Sequence, residues 1–105
     1  MKEWTIEQIT NIFEQKESGI VYFYTPMCGT CQVAGKMTTI VEKTLPNIKI
    51  AKANLNFLPE IAADLSIESV PCLLFISNGV VKDKIYAFQS VPYLYEKIKS
   101  FHQCP

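Results

Sequence analysis

The sequence predicts an α/β chain: a three-layer α/β/α sandwich around a central mixed four-stranded sheet. Three observations carry this expectation. Short apolar, β-forming runs alternate with stretches of helical periodicity in the order helix, strand, helix, strand, helix, strand, strand, helix. The β-α-β portion requires a right-handed crossover and parallel pairing. Asn78-Gly79, between two apolar runs, is a strong hairpin signal and forces an antiparallel pair at the end of the sheet.

Thr5 and Gln8 have capping-box spacing, and Ile6, Ile9 and Phe13 recur at helical spacing, giving a first helix to about Lys16, closed by Ser18-Gly19. Residues 20–24, Ile-Val-Tyr-Phe-Tyr, are the run expected of a central strand covered on both faces. Ala34, Met37, Val41 and Leu45 form the apolar stripe of a long second helix, which Pro46-Asn47 ends. Residues 48–54 read as a second strand. Pro59 suits the first position of a short helix carrying Ile61, Ala62 and Leu65. Residues 72–76 and 80–87 are the two arms of the hairpin. Ser90 caps a last helix with Pro92 at its start and Leu94, Ile98 and Phe101 on its buried side.

No linker, repeat or low-complexity tract interrupts the 105 residues, so residues 1–105 are expected to form a single domain. Ten lysines balance ten acidic residues and arginine is absent. No net field draws the chain to nucleic acid or an anionic membrane, and the usual bidentate reader of bases and phosphates is missing. The N-terminal residues alternate polar and apolar and lack a secretory h-region, and no segment is long enough to span a bilayer. A cytoplasmic location is therefore expected, where thiols are normally reduced. With only four glycines and no glycine-rich phosphate loop, a bound nucleotide cofactor is not expected.

Of the four cysteines, Cys28 and Cys31 stand as a C-x-x-C pair where the first strand hands over to the second helix. A thiol at a helix N-terminus is stabilised as thiolate by the exposed N–H groups and the macrodipole. The second thiol, one turn in, can attack a mixed disulfide formed by the first, and this geometry suits dithiol–disulfide exchange. A metal reading competes with it: Cys28, Cys31 and Cys72, which follows Pro71, are three soft potential ligands for zinc or an iron–sulfur centre. A binding module without catalysis is the other alternative. Cys72 otherwise reads as a buried strand residue, and Cys104 and His102 as surface residues near the end of the last helix.

The segments Phe23-Tyr-Thr-Pro-Met-Cys-Gly-Thr-Cys31, Ile50-Ala-Lys-Ala-Asn54, Ser69-Val-Pro-Cys-Leu-Leu-Phe75 and Asn78-Gly79 together resemble the thioredoxin family. The resemblance covers nearly the whole chain and implies the thioredoxin fold. It implies a thiol–disulfide oxidoreductase serving cell redox homeostasis, with Cys28 as nucleophile and Cys31 as resolving thiol. Pro71 would be a cis-proline facing the disulfide, with Val70 presenting its backbone to substrate. Met27, Gly29, Thr30, Val70, Pro71, Ala87 and Phe88, with Tyr86, would line the substrate-binding patch. The implied partners are disulfide-containing proteins and an electron donor, either a reductase or a low-molecular-weight thiol. No cofactor beyond the redox-active pair is implied, and the protein is expected to act as a monomer.

Four departures from the family's pattern bear on chemistry. Tyr22 stands where the family commonly has a buried Asp that moves the resolving cysteine's proton, and Lys52 has lost that Asp as partner. Tyr22, a poor base at neutral pH, and Lys52 are therefore the candidates for tuning the thiols. Met27 replaces a tryptophan. Thr30 replaces a proline, and its backbone N–H is an added donor toward a Cys28 thiolate. Lys36 replaces a helix-kinking proline, so the second helix is expected to run straighter. The added donor and lost carboxylate lead to the expectation of a more oxidising pair than in a typical reducing thioredoxin.

Overall fold

The computed structural model describes residues 1–103. Its elements are β1 (Lys2–Glu3), α1 (Ile6–Glu14), β2 (Gly19–Tyr24), α2 (Gly29–Thr44), β3 (Ile50–Asn54), a 3₁₀ turn (Leu55–Phe57), α3 (Pro59–Asp64), β4 (Cys72–Ser77), β5 (Val80–Ile85) and α4 (Val91–Gln103). The strands form one sheet in the order β1-β3-β2-β4-β5. Strand β2 lies at its centre, parallel to β3 and antiparallel to β4.

The period-2 alternation of β2 sorts its side chains between two cores. Ile20 and Tyr22 join Leu73, Phe75, Ala34, Val41, Leu94 and Ile98 under α2 and α4. Val21 and Phe23 join Cys72, Leu74, Ile76, Ile9, Ile12 and Leu58 under α1 and α3. Both faces of the central strands are covered, which is why their sequences read as nearly unbroken apolar runs. The layers are those the sequence predicts.

Five strands replace the expected four. The extra strand, β1, has two exposed residues and no apolar alternation, so pattern could not reveal it. Pairing holds it: Lys2 and Glu3 align with Ala51 and Lys52 on β3. The Glu3 carboxylate also accepts from the Tyr24 hydroxyl at 2.7 Å and the Asn54 N–H at 3.2 Å.

Thr5 and Gln8 close the capping box of α1. The helix ends at Glu14 rather than Lys16, because Gln15 is the C-cap and Lys16 takes a left-handed φ of 54°. The second parallel strand starts at Ile50, two residues later than expected, since the Ile48 N–H is turned back to the Leu45 carbonyl. The β4–β5 pairing ends at Leu73 opposite Ile85, two residues short of the expected Ala87. There the chain on the β4 side reaches Pro71, which has no N–H to extend a ladder.

At the hairpin tip, Asn78 and Gly79 both have positive φ (52° and 76°), as a type I′ turn demands. A Cβ on Gly79 would lie 2.9 Å from both the Lys16 Cα and the Phe13 carbonyl oxygen. The turn is thus packed against the end of α1, and the Gly79 N–H donates to the Glu17 carbonyl. In α4, Ser90 accepts from the Tyr93 N–H at 3.2 Å, and Phe101 meets Phe75 edge-on with ring centres 5.1 Å apart.

Candidate active site

Strand β2 delivers the chain through Thr25-Pro26-Met27 to the start of α2. Cys28 is the N-cap of that helix, with extended backbone (φ −93°, ψ 110°), and Cys31 lies one turn in. Cys28 and Cys31 form a disulfide. Cys28 is half-buried and Cys31 buried, so one sulfur faces outward and the other lies beneath it.

The Cys28 sulfur sits among donors. It accepts from the Cys31 backbone N–H at 3.1 Å, and the Thr30 hydroxyl lies 3.2 Å away. The Val70 carbonyl is 3.9 Å off. No acidic residue occupies the first turn of α2, so nothing there opposes negative charge on this sulfur. The sequence singled out the backbone N–H of Thr30 as the added donor. The structure gives that role to the Thr30 hydroxyl instead, while the N-cap geometry aims the Cys31 amide, the third and not the second, at the capping sulfur.

The Val70–Pro71 bond is cis. Its neighbours are unequally placed. Met27 is 94% exposed, Gly29 and Ala87 are exposed, and Val70 and Pro71 are half-buried. A Cβ at Gly29 would meet nothing within 4 Å, so the approach to the sulfurs from that side is open. Phe88 does not line this surface. It is buried and packs edge-on against Tyr22, with ring centres 5.9 Å apart, because the turn after β5 breaks the strand alternation and brings its side chain into the layer of Ile85, under α2 and α4. Tyr86 is half-buried. Its hydroxyl accepts from the Glu68 N–H and donates to the Ser66 carbonyl, which pins it over the loop before Pro71.

Behind the pair, the Tyr22 hydroxyl donates to the Cys31 carbonyl. Burial pushes the Tyr22 phenol up to about 12, so this group is a hydrogen-bond donor near neutral pH and takes no proton from Cys31. Gly35, one turn beyond Cys31, makes room for the ring: a Cβ there would touch the Tyr22 hydroxyl at 3.4 Å. Nothing in the composition marked Gly35. Its i, i+4 spacing from Cys31 was the only signal in the sequence. Lys52, aligned with Tyr22 across the parallel ladder, places its ammonium 5.9 Å from the Tyr24 ring centre rather than against the Tyr22 hydroxyl. Helix α2 continues unbroken through exposed Lys36 to Thr44.

Cys72 is fully buried in the core under α1 and α3, in the opposite layer from Tyr22 and α2. Burial pushes its thiol up to about 11. Among the described residues no group of three His, Cys, Asp or Glu is placed to hold a metal, and Cys72 is not brought to Cys28 and Cys31. His102 is exposed on α4. Cys104 lies outside the described residues. No helix among these residues is long and apolar enough to cross a membrane.

Comparison with known proteins agrees with this architecture. The family model described as Thioredoxin matches residues 3–100. The chain is 43% identical over 99 residues to Thioredoxin-like protein YusE of Bacillus subtilis (strain 168), covering 94% of this chain and 92% of that protein. It is 29% identical over 79 residues to Thioredoxin H1 of Arabidopsis thaliana, covering 75% and 69%. Among solved structures, oxidised mitochondrial thioredoxin 3 from Saccharomyces cerevisiae superposes with a TM-score of 0.79 at 21% identity, over 95% of this chain and 94% of that one. Oxidised thioredoxin from Plasmodium falciparum superposes at 0.80 with 22% identity, over 96% and 97%. A central C-x-x-C pair at disulfide distance on such a fold is the mark of a thiol–disulfide oxidoreductase, and the chain belongs to the thioredoxin family.

Proposed function

We propose that this protein reduces disulfides in other proteins, with Cys28 as nucleophile and Cys31 as resolving thiol. The observation that carries this reading is the N-cap position of Cys28, where the Cys31 N–H and the Thr30 hydroxyl already point at its sulfur. Those donors would hold a thiolate without reorganisation, and charged acceptors draw the stronger hydrogen bonds.

In the reducing direction the Cys28 thiolate attacks one sulfur of a substrate disulfide. A Cys28–substrate bond forms, and the other substrate sulfur leaves as a thiolate that takes up a proton. The Cys31 thiol then loses its proton, attacks the Cys28 sulfur and expels the second substrate thiolate. Two electrons pass to the substrate, and the Cys28–Cys31 disulfide remains. A dithiol reductase or a small thiol must then supply two electrons to restore the pair. The chain needs no cofactor of its own for these steps.

With Tyr22 held to the Cys31 carbonyl, the resolving proton passes to water or to a dissolved base. Met27, Gly29, Val70, Pro71 and Ala87 form the surface against which a substrate strand docks, its backbone meeting that of Val70. The reading includes a monomeric, single-domain protein of the cytoplasm.

Insulin reduction by dithiothreitol tests the proposal. The protein should accelerate precipitation of the insulin chains, and Cys28→Ser should abolish the acceleration. Cys31→Ser should instead accumulate mixed disulfides at Cys28. Equal, slow alkylation of both thiols at neutral pH would overturn the reading.

A further inference from the structure

Behind the disulfide, on the α2 side of the sheet, lies a cleft of about 730 Å³ that the disulfide chemistry does not use. Its size falls in the range of small-molecule sites, about 300–1,000 Å³. Tyr22 and Tyr24 form one wall, stacked with ring centres 5.9 Å apart and planes 11° from parallel. Ile40 and Gly35 of α2 form the other, and Cys31 closes one end. Gly35 keeps the cleft open, since any side chain there would project toward the Tyr22 ring.

Three amino groups belong to this lining: Lys36 is exposed on α2, the Met1 ammonium pairs with Glu42 at 3.0 Å, and the third is that of Lys52. Lys52 is half-buried, its ammonium rests near the Tyr24 ring, and it makes no ion pair among the described residues. The nearest acid on the neighbouring strand, Glu3, spends its carboxylate on the Tyr24 hydroxyl and the Asn54 N–H. A half-buried cation with no counter-charge beside two aromatic faces favours an anion carrying an apolar body. A single half-buried, unpaired ammonium and the absence of arginine match one carboxylate better than a phosphate dianion.

We propose that this cleft binds a small amphipathic monocarboxylate, its carboxylate on Lys52 and its aryl or branched aliphatic body against Tyr22, Tyr24 and Ile40. The occupant lies against the flank of Cys31, away from the surface on which protein substrates dock.

Titration with phenylbutyrate, followed by amide chemical shifts, tests the assignment in the unmodified protein. The expected shifts map to Gly35, Thr39 and Lys52. Phenylbutyramide, the same shape without the charge, should bind about fivefold more weakly or worse. Lys52→Met should weaken the acid by a similar factor, while Lys49→Met, outside the cleft, should leave it unchanged. Equal affinity of acid and amide, shifts confined to the Met27 and Ala87 surface, or no binding would each overturn the proposal. The readout is equilibrium binding, so its outcome is independent of whether the protein turns over disulfides.

Discussion

Replacing Thr30 by valine isolates the hydroxyl that lies 3.2 Å from the Cys28 sulfur. Valine keeps the β-branched shape at this exposed helix position and removes only the donor. In the reduced protein the lost interaction is a hydrogen bond to a thiolate. Such bonds contribute about 1.5–3 kcal/mol when shielded, and exposure of Thr30 cuts the figure to about 1 kcal/mol. The donor stabilises the reduced form more than the oxidised one, because a disulfide sulfur is a weaker acceptor than a thiolate. Its removal should therefore lower the reduction potential by roughly 20 mV, making the pair less oxidising. Equilibration with glutathione redox buffers at a pH where Cys28 is ionised, quantified by mass after acid trapping, measures this shift. Thr30→Ser, which keeps the hydroxyl, should stay within a few millivolts of wild type. If Thr30→Val and Thr30→Ser are equally shifted, or neither moves, the hydroxyl does not stabilise the thiolate and the electrostatic account of this site fails.

Four further outcomes follow from the geometry. Tyr22→Phe removes the donor to the Cys31 carbonyl and should cost about 1 kcal/mol, lowering the thermal midpoint by roughly 4–8 °C; an unchanged midpoint would contradict the bond's contribution. Burial raises Cys72 to about 11 and Tyr22 to about 12, so both acid forms are favoured by folding. Their stabilisation is complete below the unfolded values of 9.0 and 10.0 and is lost as pH rises through the folded ones. Denaturant melts should accordingly weaken between about pH 9 and 12, and a flat profile there would refute it. In the reduced native protein iodoacetamide should modify Cys28 readily and leave buried Cys72 unmodified until denaturant is added, as peptide mapping would show. Gly79→Ala should destabilise by about 1–3 kcal/mol, because the turn needs positive φ and a Cβ would press on the end of α1; a neutral effect would mean the hairpin relaxes freely.

The apolar runs of β2 and β4, the capping box at Thr5, the hairpin at Asn78-Gly79 and the C-x-x-C pair at a strand-to-helix junction were legible in the sequence. Each depends on contacts within a few residues, or on a pattern that burial on two faces imposes. Phe88 and Lys52 were not legible in this way. Phe88 sits next to Ala87 in the chain, but the turn after β5 decides which of the two faces the core. Lys52 was recognised as unpartnered, yet the cleft around it exists only where Gly35 on α2 comes over Tyr22 on β2.

The amino-acid order alone thus determined the layers, the strand directions and which sulfur begins a helix, because periodicity, turn chemistry and capping act locally. Tertiary packing decided that β1 joins the sheet through Glu3, that Tyr22 donates to Cys31 instead of serving as its base, and that Cys72 lies in the opposite core. Those outcomes rest on where distant segments meet. Burial and hydrogen-bond partners then set how each side chain behaves.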